Sequence, residues 1–279
     1  MQSRQPSRTA LGAAGHRAAH QVLERGFIFA DPLAVRILGA DAEAVIHDAQ
    51  NDPSRQALRR FIAIRARFAE DALEATVAQG VRQLVVLGAG LDTYAYRGAL
   101  RDKLRIFEVD HPATQAWKRE KLAMAAIPIP EGLKFAPVDF ERESLAGGLA
   151  AAGFDSTQQT FFTWLGVVPY LAEQVVIATL GFVSDLSGGA HVVFDYANPP
   201  ASMSGSARTT YEALAARVAA AGEVFRCFFE TDSLCARLRS LGFREIEDLG
   251  PAQIVARFLP GRANAATEHG GHILRASTI

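Results

Sequence analysis

From residue 81 onward the chain alternates short apolar runs with stretches of helical periodicity. The runs are QLVVLG, LRIFEVD, LKFAPVD, TFFTWLG, AHVVFDY, FREIEDLG and GGHILRAS. Helical patterns fall between most of them, as at residues 113–125, 173–186 and 232–241. Near-continuous apolar strands separated by helices predict an α/β fold, a seven-stranded and mostly parallel sheet covered on both faces. The last two runs are joined by PAQIVARFLPGRANAATEHG, which Pro and Gly break and which shows no clear crossover helix. The final strand is therefore open to an antiparallel placement at the sheet edge.

The first 80 residues read mostly as helices. In residues 53–80, Leu58, Phe61, Ile62, Phe68, Ala69, Ala72, Leu73 and Val77 recur at spacings of three and four, one stripe of an amphipathic helix, and Gly80 is placed to end it. Arg65 falls inside that stripe, where a charge needs a partner: a structural salt bridge, a snorkelling stem or a bound carboxylate. After the fifth run, residues 197–230 open on two prolines, become helical from about Tyr211, and are too long for a simple connection. A lid or an extra packing element fits there, since such sheets bind ligands at the carboxyl ends of their strands. The chain thus reads as one domain, 1–279: a helical cap to residue 80, a core at 81–196, a lid at 197–230 and the remainder of the core at 231–279.

With 49% apolar residues the chain can fill a large core, and 29 basic against 30 acidic residues show no bias toward nucleic acid. No run reaches the roughly 18 apolar residues of a membrane span. The Arg-containing start lacks the apolar core of a secretory signal and reads as an ordinary segment. Cys227 and Cys235 form neither a metal motif nor a disulfide framework, which fits the cytoplasm. Nothing in the pattern speaks to oligomeric state.

The chemistry gathers at LVVLGAGLDT. Gly88 and Gly90, with Ala89 between them, let the backbone approach a ligand, and a helix beginning after them would offer free N–H groups. A dinucleotide fingerprint wants a third glycine where Thr93 stands, so a ligand without pyrophosphate, such as S-adenosylmethionine, is the better match. At the end of the second run Glu108 and Asp110 share a face, and a carboxylate there can accept both hydroxyls of a ribose. That feature suits NAD and adenosylmethionine equally. The third run ends in Asp139 and Phe140, an acid and a ring suited to an adenine, or equally a turn aspartate.

Taken together, LVVLGAGLDTYAYR, FEVDHPATQAWKREKL, PVDF and FFTWLGVVPYLAEQVV resemble the leucine carboxyl methyltransferase-like family of class I methyltransferases, over roughly residues 9–196. The resemblance implies a Rossmann-like class I fold with S-adenosylmethionine as cofactor. It implies that Gly88 and Gly90 lie beside the methionine part, that Asp110 holds the ribose with Glu108 a nearby second candidate, and that Asp139 and Phe140 meet the adenine. Arg65 matches the family's arginine for the cofactor carboxylate, and Arg17 lies near its N-terminal basic residue. Two positions depart from the family: Tyr94 stands where relatives often have arginine, and Leu165 where the protein-modifying members carry glutamate. The second departure points to the bacterial small-molecule branch.

Transfer of an activated methyl is an in-line displacement governed by positioning and exclusion of water. A carboxylate acceptor needs no base; a hydroxyl acceptor gains from one, and His111, Tyr170 and Tyr196 are the candidates, Tyr170 being the preferred one. His16 and His20, at i and i+4, lack a third ligand and read as surface histidines, so no metal is expected. The sequence supports an O-methyltransferase for a small acidic or phenolic acceptor that binds against the first 50 residues and the 197–230 segment. A protein or peptide carboxyl methyltransferase, a regulatory module without turnover and an NAD oxidoreductase are the alternatives.

Overall fold

A computed structural model describes residues 7–139, 143–220, 222–260 and 270–279. Seven strands form one sheet in the order β3-β2-β1-β4-β5-β7-β6. They are β1 (Gln83–Leu87), β2 (Arg105–Asp110), β3 (Leu133–Pro137), β4 (Thr160–Trp164), β5 (Ala190–Ala197), β6 (Glu245–Leu249) and β7 (Gly271–Ser277). β1 pairs with β2 and β2 with β3 in parallel, as does β4 with β5, whereas β7 runs antiparallel to both β5 and β6. The antiparallel final strand is found, but not at the edge. It is inserted between β5 and β6, and the edge falls to β6. The charge pattern explains that position: Glu245 and Glu247 suit an exposed edge and discourage pairing with another chain. Glu247 is bridged there by Arg257 (2.9 Å) and Arg275 (3.5 Å).

Contacts group the chain into two compact units, residues 1–155 and 156–279. In the first, α1 (Arg8–Leu23), α2 (Ala34–Leu38), α3 (Ala42–Asn51) and α4 (Gln56–Ala78) precede the sheet. Ser7 caps α1 by accepting the Ala10 N–H at 3.1 Å, and Gly15 in α1 faces Val45 of α3 where a Cβ would overlap it. Asp52 accepts the Ser54 N–H and starts the turn that leads into α4, and Gly80, with φ +116°, ends the helix. The α4 stripe is buried from Ile62 to Val77 and includes Arg65, whereas Leu58 and Phe61 are half-exposed and Arg59 takes the buried place beside them. His20 departs from the surface reading. It is fully buried, with Nδ1 2.6 Å from Glu24 Oε2, because the segment after α1 folds back over it. Every residue of β1 is buried, which requires cover on both faces of the sheet. The short α5 (Tyr94–Arg97), α6 (Pro112–Met124) and α7 (Leu145–Ala151) complete this unit.

In the second unit α8 (Glu173–Ser184) joins β4 to β5, and α9 (Gly205–Ala220) lies in the long segment after β5. That helix starts six residues earlier than periodicity suggests, because its first turn, Gly-Ser-Ala-Arg, has no apolar stripe to read. α10 (Thr231–Ser240) precedes β6, and α11 (Pro251–Phe258) stands where the sequence showed no clear helix. Pro251 explains it: a proline at the first helical position favours the turn rather than breaking it.

The turn before β5 is tight. A Cβ on Gly188 would lie 2.6 Å from the backbone carbonyl oxygen of Gln158, which cannot move without shifting the strand that follows. Gly188→Ala is expected to lower stability by about 1–3 kcal/mol, read as a fall in the urea midpoint at unchanged slope.

Candidate active site

β1 delivers the chain into Gly88 and Gly90, both in the left-handed region with φ of +65° and +43°. Gly90 is doubly required, since a Cβ there would also come within 3.0 Å of Ala10 Cβ in α1. The Ala89 N–H continues the strand pairing by donating to Val109 O at 3.0 Å. This register sets Asp110 opposite the turn. Its Oδ2 accepts the Gly90 N–H at 2.6 Å and its Oδ1 the His111 N–H at 2.7 Å. The carboxylate remains half-buried, with lone pairs to spare for further donors. Burial pushes its pKa above the usual aspartate range, against the pull of those two amides.

The helix expected after the turn is one turn only, α5, and Asp92 accepts its first N–H, that of Tyr94, at 2.8 Å. The Ala89 and Gly90 amides of the turn are engaged within the protein, by Val109 O and Asp110 Oδ2, and the helix that follows is short. Thr93, where a third glycine would stand, is buried; its hydroxyl donates to Asp31 Oδ2 at 2.7 Å and accepts from Arg97 Nε at 2.9 Å. Asp31 is wholly buried and also meets Arg17 Nε at 3.2 Å and Arg97 Nε at 3.3 Å. Arg17 then donates from Nη2 to Leu91 O at 2.6 Å, directly on the turn. Arg97 continues to Glu70 of α4 at 2.5 and 3.0 Å and lies 4.8 Å over the Phe29 ring. Tyr94 packs its ring against Gly98, and burial raises its hydroxyl well above the ordinary tyrosine range.

The two acids of β2 have different surroundings. Glu108 is fully buried, with Lys118 Nζ 2.8 Å from Oε2 and the Tyr96 hydroxyl donating to the same oxygen at 3.3 Å. Burial lifts its carboxyl to about 7, although Lys118 pulls it down. Asp139 follows β3, half-buried, and exchanges bonds with Glu143: its N–H donates to Glu143 Oε2 and its carbonyl accepts the Glu143 N–H. Phe140 lies outside the described residues. Arg65 is buried in α4 within this unit.

Tyr170 belongs to the second unit, in the single turn Val168–Tyr170 after β4. It is half-buried, its ring 5.2 Å from Phe225, which in turn meets Tyr211 at 5.8 Å. The returning chain is held to this turn, with the Arg226 N–H donating to Pro169 O at 2.7 Å. Of the other base candidates, His111 Nδ1 accepts the Ala113 N–H at 3.2 Å and caps α6. Tyr196 is buried, and its hydroxyl donates to Asp248 Oδ2 at 2.7 Å. Around it, His272 spans Asp248 (2.6 Å) and Asn198 (2.7 Å), and Asn198 donates to Phe229 O at 3.1 Å. Among the described residues, no three His, Cys, Asp or Glu side chains gather as a metal site, and no helix is long and apolar enough to cross a membrane.

A glycine turn after β1 and an acid closing β2 form, at the carboxyl ends of parallel strands, the place where sheets of this kind hold nucleotide-like ligands. Comparison with known proteins agrees. The family model described as "Leucine carboxyl methyltransferase" matches residues 10–184. The chain is 30% identical over 289 residues, 94% of each chain, to "Putative S-adenosyl-L-methionine-dependent methyltransferase YktD" of Bacillus subtilis. It is 36% identical over 185 residues, 64% of each, to a Streptomyces coelicolor protein of the same description, SCO7813. A solved structure titled as a "putative methyltransferase" from Thermobifida fusca shares the fold at TM-score 0.58 and 13% identity, covering 98% of this chain and 94% of its own. The chain belongs to the leucine carboxyl methyltransferase family and is an S-adenosylmethionine-dependent methyltransferase.

Asp31 is absent from the residues that motif reading selects, and Lys118, inside the FEVDHPATQAWKREKL stretch, receives no role from it. For Asp31 a signal exists: it is a lone acid in the apolar run FIFADPLAV, where a charge must find partners. Asp31→Ala would leave Arg17 and Arg97 without their shared anion and is expected to destabilise by about 3–5 kcal/mol in urea unfolding, a loss that Thr93→Val reproduces only in part.

Proposed function

We propose that the protein transfers the methyl group of S-adenosylmethionine to an oxygen, hydroxyl or carboxylate, of a small-molecule acceptor. The observation that carries the cofactor half of this reading is the Asp110 carboxylate, fixed at the glycine turn by the Gly90 amide and still half-open to further donors. A side-chain-free turn and an acid at the strand end suit a ribose and an amino-acid tail. Asp110 takes the ribose diol, and Glu108, wholly buried against Lys118, takes no part in it. Gly88, Ala89 and Gly90 flank the methionine moiety, Arg65 is assigned its carboxylate, and Asp139 with Phe140 the adenine. Arg17 acts indirectly, by fixing the turn at Leu91 O.

When bound, the cofactor supplies a sulfonium methyl already activated for displacement. The chain's own task is to orient the acceptor and exclude water. Residues 197–230 serve as the lid for this purpose. Tyr170, beside Phe225, is the candidate to contact the acceptor and, for a hydroxyl acceptor, to hold its proton. Leu165 stands where protein-modifying relatives have glutamate, which supports a small acceptor over a protein C-terminus.

Labelled adenosylmethionine added to a cell extract should place label in the low-mass fraction. Base-labile product then marks a methyl ester and base-stable product an ether; label confined to protein refutes the small-acceptor reading. Asp110→Ala is expected to weaken adenosylhomocysteine binding by about 1–3 kcal/mol in calorimetry, with the melting curve preserved. Arg65→Met should weaken the same binding in a folded protein. Unfolding with affinity retained would return Arg65 to a structural role.

A further inference from the structure

Asp110 and Glu108 alternate on β2, so both side chains leave the same face of the sheet. From α6, Lys118 reaches that face one helical turn after the buried Thr114, and Gln115 anchors the helix by donating to Glu108 O at 2.7 Å. Lys118 is all but inaccessible. Its ammonium makes an ion pair with Glu108 Oε2 at 2.8 Å, and among the described residues it has no partner in full hydrogen-bond geometry. Among the described residues, Glu108 Oε1 and Thr114 Oγ1 likewise have no hydrogen-bond partner. A pair built only to satisfy itself would close these bonds, since unmet polar groups in the interior are costly. The ammonium is poorly spent on Glu108, and Asp110 is the next acid along the face of β2 that it meets.

The remaining groups around Asp110 do not replace it. The turn after β1 brings Asp92, a like charge, and α5 brings Tyr96, which is bonded to Glu108. β3 sets Pro137 opposite Asp110, with Asp139 two residues on. His111 at the cap of α6 uses Nδ1 as an acceptor. We propose that Lys118 is a positioning residue for the cofactor: its buried ammonium keeps the Asp110 carboxylate ionised, the form able to accept both ribose hydroxyls, without touching the ribose. This rests on the reading that Asp110 binds the ribose. Glu108, the more buried acid and the one without amide donors to its carboxylate, is pushed by burial toward its neutral form as pH falls. Lys118 then faces Asp110 with no competing anion.

The test is the adenosylhomocysteine dissociation constant between pH 4.5 and 8 for the parent, D110N, E108Q and E108Q/K118M. The E108Q background removes the carboxylate that a lone Lys118 change would orphan, and E108L/K118M is the apolar substitute if the first double variant melts early. Binding by the parent weakens on the acid side, and E108Q keeps that midpoint. E108Q/K118M should move the midpoint up by about one pH unit or more, and E108Q/K118R should restore it. A shared midpoint in E108Q and both double variants that lack the cation reduces Lys118 to a structural role and overturns the proposal. An acid limb that persists in D110N overturns it differently, by removing Asp110 from the ribose.

Discussion

The hydrogen bond from the Gly90 amide to Asp110 is the constraint around which this methyltransferase is arranged. It exists only because two glycines turn the backbone to positive φ and because parallel pairing carries β2 one residue past the end of β1. Each side of that bond creates a need elsewhere. The turn must tolerate no side chain at Gly90, so α1 can press Ala10 against it. The acid lies half-buried, and a second amide and a nearby cation oppose part of the desolvation that raises it.

The N-terminal helices contribute rigidity rather than mere cover. Asp31 draws Arg17, Thr93 and Arg97 onto one buried carboxylate, linking α1 and the loop after it to the residues that follow the glycines. Through Arg97 the same network reaches Glu70 in α4. Thr93 is therefore informative in two ways. Its side chain replaces the glycine of a pyrophosphate-binding turn, and its hydroxyl fastens the turn to the helical segment.

Much of this could be read from the chain. Apolar runs gave the strands because buried parallel strands leave a dense local signal, and the glycines and Asp110 were marked by their place at strand ends. What escaped was set by distance in sequence. Asp31 meets Thr93 across 62 residues, and no local pattern foretells that pairing. Sheet order is likewise non-local: the strand run GGHILRAS shows that β7 exists but not that it intrudes between β5 and β6. His20 looked like a surface residue because periodicity in an alanine-rich helix barely separates its faces. Proline misled at α11, where the same residue that breaks a helix interior opens a helix start.

The knot of Tyr196, Asn198, His272 and Asp248 has an evolutionary side. Asn198 stands at the beginning of the long segment after β5, and Phe229 and Thr231, which it bonds, stand at its end. The two roots are thus fastened to each other and to β6 and β7, whatever lies between them. Because closing a loop grows only slowly more costly with length, the intervening residues are free to lengthen, shorten or change character while the sheet stays put. A sheet so fastened carries an exchangeable cassette of about thirty residues, which can be rewritten without renegotiating the core.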